Sequence, residues 1–369
     1  MDAAPSSALY TNINRKMKLI LRTGQLLMEN GADTNRVVRD MVQTSAFFQI
    51  PAAVLHLHVV YTTIIINISD GVHAFTSLEK CRKHDANMDV ITAVSRLSAE
   101  ASAKHLTLDE YEAALNHIER LPRRYPAAFS AFGTGIACAA LAIIFGGDLD
   151  GSLCFVPGIP LINAVDDLVN DRIIAGLTRA MHTVLIIGAM TFGIVLTIRL
   201  GSVADFTTIS IVPSTGYLIL AVAAALASLG FSVIFNVPPK LLGVTAFGGV
   251  IAVVLKNFLN LSLALPLPSS ATVGAAAVSL YTLAASRYFR VPTHVISIPC
   301  VIPLIPGIPL YRLLFALINV RSLPLPTFLS DAQGGIEAVF ILIGISLGVA
   351  IPNLVARHRL DRRQRLKAK

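Results

Sequence analysis

Apolar stretches of about twenty residues recur after residue 126, and each is long enough as a helix to cross a hydrocarbon core of about 30 Å. Only 14% of the 369 residues are charged, 54% are hydrophobic, and the mean hydropathy is +0.68. A water-soluble domain carries nearer a quarter charged residues, so this chain has too little polar surface to cover itself in water. The expected fold is a mainly α-helical polytopic membrane protein with inverted repeats, preceded by an N-terminal soluble α+β domain.

Clear spans fall at about 127–147, 177–200, 217–236, 241–261, 269–286 and 334–354. Proline and glycine interrupt two further apolar stretches, 152–169 and 298–320. If both cross, there are eight crossings. Arg172, Arg179, Lys240, Arg287, Arg290 and the basic tail 357–369 then share the cytoplasmic side, as the positive-inside rule requires. If neither crosses, Arg287 and Arg290 land outside, so eight is the preferred reading. The expected organisation is a cytoplasmic domain at 1–125, a shortened first membrane half at 126–200, a second half at 201–356 and a cytoplasmic tail. A multi-pass protein of the cytoplasmic membrane follows, with the lipid bilayer as its first partner.

The net charge of +8 reads as topology, because the basic residues sit at span ends and no basic helix carries stacking aromatics for nucleic acid. Cys81, Cys138, Cys154 and Cys300 are scattered without metal-type spacing and read as free thiols. His56 and His58 alternate along one strand without a third ligand, which favours a plain half-buried strand over a metal site. No cofactor is called for, and a homo-oligomer is left open.

In the soluble part, Ile13, Met17, Ile20, Leu21, Leu27 and Met28 follow helical spacing, and Asn30-Gly31 supplies a stop. Thr34 is placed to cap a second helix. The β-branched run 54–68 reads as a strand, turned by Asp70-Gly71 into a partner at 72–76. Thr107-Leu-Asp-Glu110 spells a capping box.

The most informative motif is repeated. Val156-Pro-Gly-Ile-Pro-Leu161 returns as Ile305-Pro-Gly-Ile-Pro-Leu310, 149 residues later. Two prolines three positions apart remove two backbone donors, and the glycine between them loosens the chain, so no continuous helix passes. In lipid the freed backbone groups need protein, water or ligand, which puts the break beside a cavity. The helix that restarts offers bare N–H groups and a positive dipole end, suited to a carboxylate. With eight crossings the two copies run in opposite directions, the inverted construction of many secondary transporters. The plainer reading, a kink for packing, suits one such motif better than a matched pair.

Gly31-Ala-Asp-Thr-Asn-Arg-Val37, Phe145-Gly-Gly147, Pro157-Gly158, Asn163-Ala164, Asp167-Leu168, Gly176 and Arg179 stand in this order along the first half. Asn236-Val-Pro238, Pro306-Gly307, Gly344 and Gly348 follow in the second. Together they resemble the threonine/serine exporter family, whose split two-subunit relatives are associated with dicarboxylate (succinate) export. The resemblance implies proton-driven export of a small amino acid, with five crossings per half. Here only 30 residues separate Ala127 from the first Pro-Gly, against 89 from Tyr217 to the second. The shortfall is about two spans with their loops.

The candidate substrate-binding residues are accordingly Pro157, Gly158, Pro160, Asn163, Pro306, Gly307, Pro309 and Tyr311, joined by Lys256, whose ammonium lies well inside a span. Lys256 reads equally as a lysine reaching the interface. Asp166 and Asp167, about two turns past the first break, are candidates for proton coupling, with interfacial snorkelling as the alternative. Arg179 reads first as an anchor at the inner surface, and Gly344-x-x-x-Gly348 as a close helix contact. Dicarboxylate export, with Lys256 and Arg312 as two cations, is the nearest alternative. A membrane-embedded hydrolase finds no GxSxG or HExxH motif, and a sensor or scaffold role for the soluble domain is the third reading.

Overall fold

The computed structural model describes residues 4–69, 73–145, 157–201, 216–321 and 323–367. The expected Asp70-Gly71 turn, Gly146 and Gly147, Cys154 and Val156 lie outside these described residues.

The soluble domain opens with α1 (Ala4–Glu29) and α2 (Thr34–Phe47). The helical spacing read from sequence holds: Met17, Ile20, Leu21, Leu27 and Met28 are buried, and Gly31 leaves the helix at φ +92°. The cap of α2 is Asp33, one residue before the expected Thr34. Its carboxylate accepts the Arg36 N–H at 2.9 Å, which leaves the Thr34 hydroxyl for another partner. The β-branched run is two strands, since Tyr61 and Thr62 turn it back on itself. β1 (Leu55–Val60), β2 (Thr63–Ser69) and β3 (Ala74–Lys80) form an antiparallel sheet in that order, with Leu55 opposite Ile68 and Ile68 opposite Phe75. The period of two puts Ile64, Ile66 and Ile68 on the inner face. Neither Tyr61 nor Thr62 is a glycine, proline, asparagine or aspartate, so the run carries no ordinary turn signal there.

Two helices close the domain, α3 (Met88–Glu100) and α4 (Leu108–Glu119). The capping box forms as read: Thr107 Oγ1 accepts the Glu110 N–H, and the Glu110 carboxylate accepts the Thr107 N–H. Tyr111 reaches the centre of the core, where its hydroxyl meets Thr23 at 3.1 Å and Thr44 at 3.0 Å.

The membrane part contains α5 (Ala127–Phe145), α6 (Gly158–Val169), α7 (Ile173–Gly201) and α8 (Tyr217–Ile234). It continues with α9 (Leu242–Asn257), α10 (Leu267–Phe289), α11 (Thr293–Val301), α12 (Gly307–Ile318) and α13 (Leu325–Lys367). Among the described residues six helices are long and apolar enough to cross a membrane, at the positions read from sequence. The segments Thr293–Leu304 and Gly307–Ile318 are bent by 61° and make a seventh if counted as one span. α6, with 12 residues, covers only about 18 Å and cannot cross alone. The described residues thus hold six or seven spans, and the start of the interrupted 152–169 stretch, which the eight-crossing reading includes, lies outside them.

Large apolar side chains face outward on these helices, including Phe132, Leu185, Leu218 and Leu280, each more than 60% exposed. That is the expected surface in a lipid solvent, and in water it would be an aggregation site. Helices pack through small residues. A Cβ on Gly348 would stand 2.4 Å from the Thr272 carbonyl oxygen of α10, so the Gly344/Gly348 pair is the close contact read from sequence.

Candidate functional site

The two copies of the motif fold alike. Pro157 (φ −69°, ψ 76°) and Pro306 (φ −80°, ψ 79°) interrupt the chain with nearly the same backbone, and each is followed by a helix of 12 residues. Both helices end at an asparagine, Asn170 and Asn319, whose amide donates back to the carbonyl four residues earlier, at 2.7 and 3.0 Å. The likeness of the two copies therefore extends through the helix after each break, well beyond the five identical residues. The two breaks also touch: a Cβ added to Gly158 would come within 2.6 Å of Ile305 Cδ1.

Each break borders a cavity. The one at the second break, about 240 Å³, is lined by Pro306 and Pro309 together with Phe145, Lys256, Asn257, Asn260 and Glu337. Lys256 is 8% exposed, and its ammonium stands 5.6 Å from the centre of the Phe145 ring, close enough for a cation–π attraction. Lys256 is thus packed against the protein, not extended away from it. The Asn257 amide nitrogen is buried without a hydrogen-bond partner. Sequence reasoning missed Glu337, an acid at mid-span in α13 whose position in a transmembrane helix was itself the available signal.

The cavity at the first break, about 380 Å³, lies between the membrane helices and the soluble domain. Pro157, Gly158 and Pro160 line it with Tyr61, His84, Arg179 and His182. The His84 ring stacks on Tyr61 at 4.0 Å, His182 meets Tyr61 edge-on, and the Arg179 guanidinium lies 4.7 Å over the same ring. Burial, with the neighbouring His182 and Arg179, lowers the His84 imidazole below its ordinary range.

Several residues expected at the inner surface or around a substrate instead join the two domains. Arg179 is 1% exposed and pairs with Asp167 at 3.3 Å, so it is a buried tie and no surface anchor. Asp167, fully buried, accepts the Thr34 hydroxyl at 2.9 Å and the Thr34 N–H at 3.3 Å. Asn163 donates to the Gly31 carbonyl at 3.1 Å, Asn35 reaches Asp166 at 3.5 Å, and Arg172 donates to Asn35 at 2.9 Å. Gly176 lets α7 approach α6: a Cβ there would stand 2.8 Å from the Ala164 carbonyl oxygen. The second half is tied in the same way. Asn236, at φ 55°, donates to Asn87 at 2.8 Å and accepts the Arg124 N–H at 2.9 Å, while Met88 donates to the Phe235 carbonyl.

Of the candidate substrate residues, Pro157, Gly158 and Pro160 line one cavity and Pro306, Pro309 and Lys256 the other. Asn163 gives its amide N–H to Gly31 and keeps a buried Oδ1 without a hydrogen-bond partner, and Tyr311 is buried beside Ile187 and Ile308, its hydroxyl 3.8 Å from Met190 Sδ. His56 and His58 are exposed on β1.

Broken helices bordering largely apolar cavities that hold a few charged groups, inside an apolar bundle, fit a multi-pass membrane protein of the transporter class. The threonine/serine exporter family model matches residues 18–155 and 151–201, and a second model of the same exporters matches 220–355. The chain belongs to the threonine/serine exporter family, with both halves fused. It is 22% identical over 341 residues to an uncharacterised protein of Haemophilus influenzae, covering 92% of this chain and 94% of that one. No solved structure matches.

Proposed function

We propose that the protein exports a threonine- or serine-like amino acid across the cytoplasmic membrane, using the proton-motive force and alternating access around the two breaks. The observation that carries this reading is the presence of Lys256 and Glu337 on the wall of one cavity. A zwitterion offers a carboxylate to the ammonium and an ammonium to the carboxylate. A dicarboxylate needs two cations, and Arg312 is not on that wall; its charge bears on Asp331. The cavity therefore favours an amino acid over succinate.

Coupling falls to Asp167 in this proposal. A proton on Asp167 weakens its hold on Arg179 and Thr34, and so loosens the soluble domain over the first cavity. Inversion of the two halves, with the termini in the cytoplasm, supplies the alternation. The positive-inside distribution supports that orientation. The first family match also comes in two pieces that meet at 151–155, where the sequence is two crossings short.

Counterflow in proteoliposomes tests the substrate. Labelled threonine or serine is expected to exchange, succinate to compete poorly, and Glu337→Gln to lose amino-acid exchange. Faster exchange of succinate than of either amino acid, or full amino-acid exchange by Glu337→Gln, overturns the reading.

A further inference from the structure

We infer that Asp33, Asp166 and His294 form a binding site for one divalent transition-metal ion where the soluble domain meets both membrane halves. One side-chain ligand atom from each lies within 4.8 Å of the other two, and all three residues are buried. Ligands held about 2.1 Å from a common ion sit roughly 3–4 Å apart; the His294–Asp33 pair already stands at 3.5 Å, and ion binding draws the wider pairs in from at most 4.8 Å. Each ligand comes from a different part of the chain: Asp33 caps α2 in the soluble domain, Asp166 lies on α6, and His294 on the first turn of α11.

The chemistry of the set supports the assignment. His294 is 7% exposed, and neither ring nitrogen has a hydrogen-bond partner. Its Nε2 faces Asp33 Oδ2 at 3.5 Å. Cap formation occupies Asp33 Oδ1 with the Arg36 N–H, which holds Oδ2 toward the imidazole. Asn35 reaches Asp166 Oδ2 at 3.5 Å and is itself held by Arg172, the outer support that metal ligands ordinarily receive. Two carboxylates this close repel each other out of water, and a divalent ion neutralises both. One imidazole with two carboxylates suits Mn²⁺, Fe²⁺, Co²⁺ or Zn²⁺ better than Ca²⁺ or Mg²⁺, whose ligands are oxygen alone. Water completes the coordination shell. The bound ion links Asp33 to α6 and α11, whichever solute is exported, and leaves the separate hold of Asp167 on Arg179 and Thr34 to respond to a proton.

The test uses the full chain, purified without a histidine tag, stripped with chelator and titrated with Co²⁺ and Mn²⁺. One ion per chain is expected, with a Co²⁺ absorption spectrum and a rise in melting temperature on binding. Asp33→Asn, Asp166→Asn and His294→Gln should each weaken binding by roughly 100-fold or more. Asn35→Ala should weaken it by about 10–100-fold, the effect of a lost supporting partner, and His58→Gln not at all. His294→Cys preserves a ligand and should add a thiolate-to-Co²⁺ charge-transfer band, which reports on the site even if other variants fold poorly. No saturable binding by the wild type, or affinity unchanged across the three ligand variants, overturns the proposal and leaves His294 as a packed neighbour of Asp33.

Discussion

The first and second breaks share one local sequence and one backbone, yet their surroundings differ. At the first, the helix carries Asn163, Asp166 and Asp167, which hold the soluble domain. At positions 149 residues on stand Arg312, Phe315 and Ala316, and the second cavity is bounded by membrane helices alone. A duplicated Pro-Gly-x-Pro motif thus specifies where a helix stops and restarts, while the residues after it decide what the new helix holds. The helix after the first copy contacts the soluble domain; the second copy faces the cavity lined by Lys256 and Glu337.

The sharpest way to break this contrast is to remove the tie at the first copy. Asp167→Asn leaves Arg179 buried without its counter-charge, and the loss should be about 3–5 kcal/mol. The soluble domain should undock, seen as faster protease cleavage near 121–126, while Ala316→Ser at the matching second position should change docking little. Equal protection of Asp167→Asn and the wild type would make the tie incidental.

Gly176→Ala should come next. Its new methyl meets a backbone oxygen that cannot swing away, so α6 and α7 separate at a cost of about 1–3 kcal/mol. A lowered melting temperature with docking partly lost is the expected result, and an unchanged melting temperature would mean that α7 shifts freely. Asn170→Ala and Asn319→Ala remove equivalent hydrogen bonds from the two helix ends, each costing about 1 kcal/mol. Similar losses in thermal unfolding would confirm that the copies match this far, and a large inequality would limit the likeness to the motif.

Much of this was legible in the sequence. Hydropathy located all six long spans because lipid demands length and apolarity together. The breaks were legible because proline removes a donor wherever it stands. The use of Arg179, Asn163 and Thr34 was not, because a polar residue at a span end looks the same whether it meets water, headgroups or another domain. Glu337 was passed over although a lone acid inside an apolar helix is itself a signal. The metal cluster joins residues far apart in sequence, and no spacing rule connects them.

The smallest expected effect separates the two cavities by pH. His84 and His182 line the first, whereas the second has no histidine on its wall. His84 is held in its neutral form when docked, so that contribution is complete above the ordinary imidazole value of 6.5 and is lost as pH falls through it. Hydrogen exchange at residues 30–36, corrected for intrinsic rates, should rise modestly below that pH. His84→Gln should flatten the dependence, and exchange falling with acidity would reverse the sign of the argument.

The most direct test of the account replaces prolines in each break separately and measures efflux per folded molecule in the membrane. Alanine is favoured over proline in a helix by about 3 kcal/mol per site. Pro157→Ala with Pro160→Ala, and Pro306→Ala with Pro309→Ala, should therefore let the helices run on and close the cavities. Transport per folded molecule is expected to fall to a similar degree in both double variants, although only the first pair adjoins the soluble domain. Normal specific transport by either one would show that its break serves packing and contradict a pathway shared by the two halves.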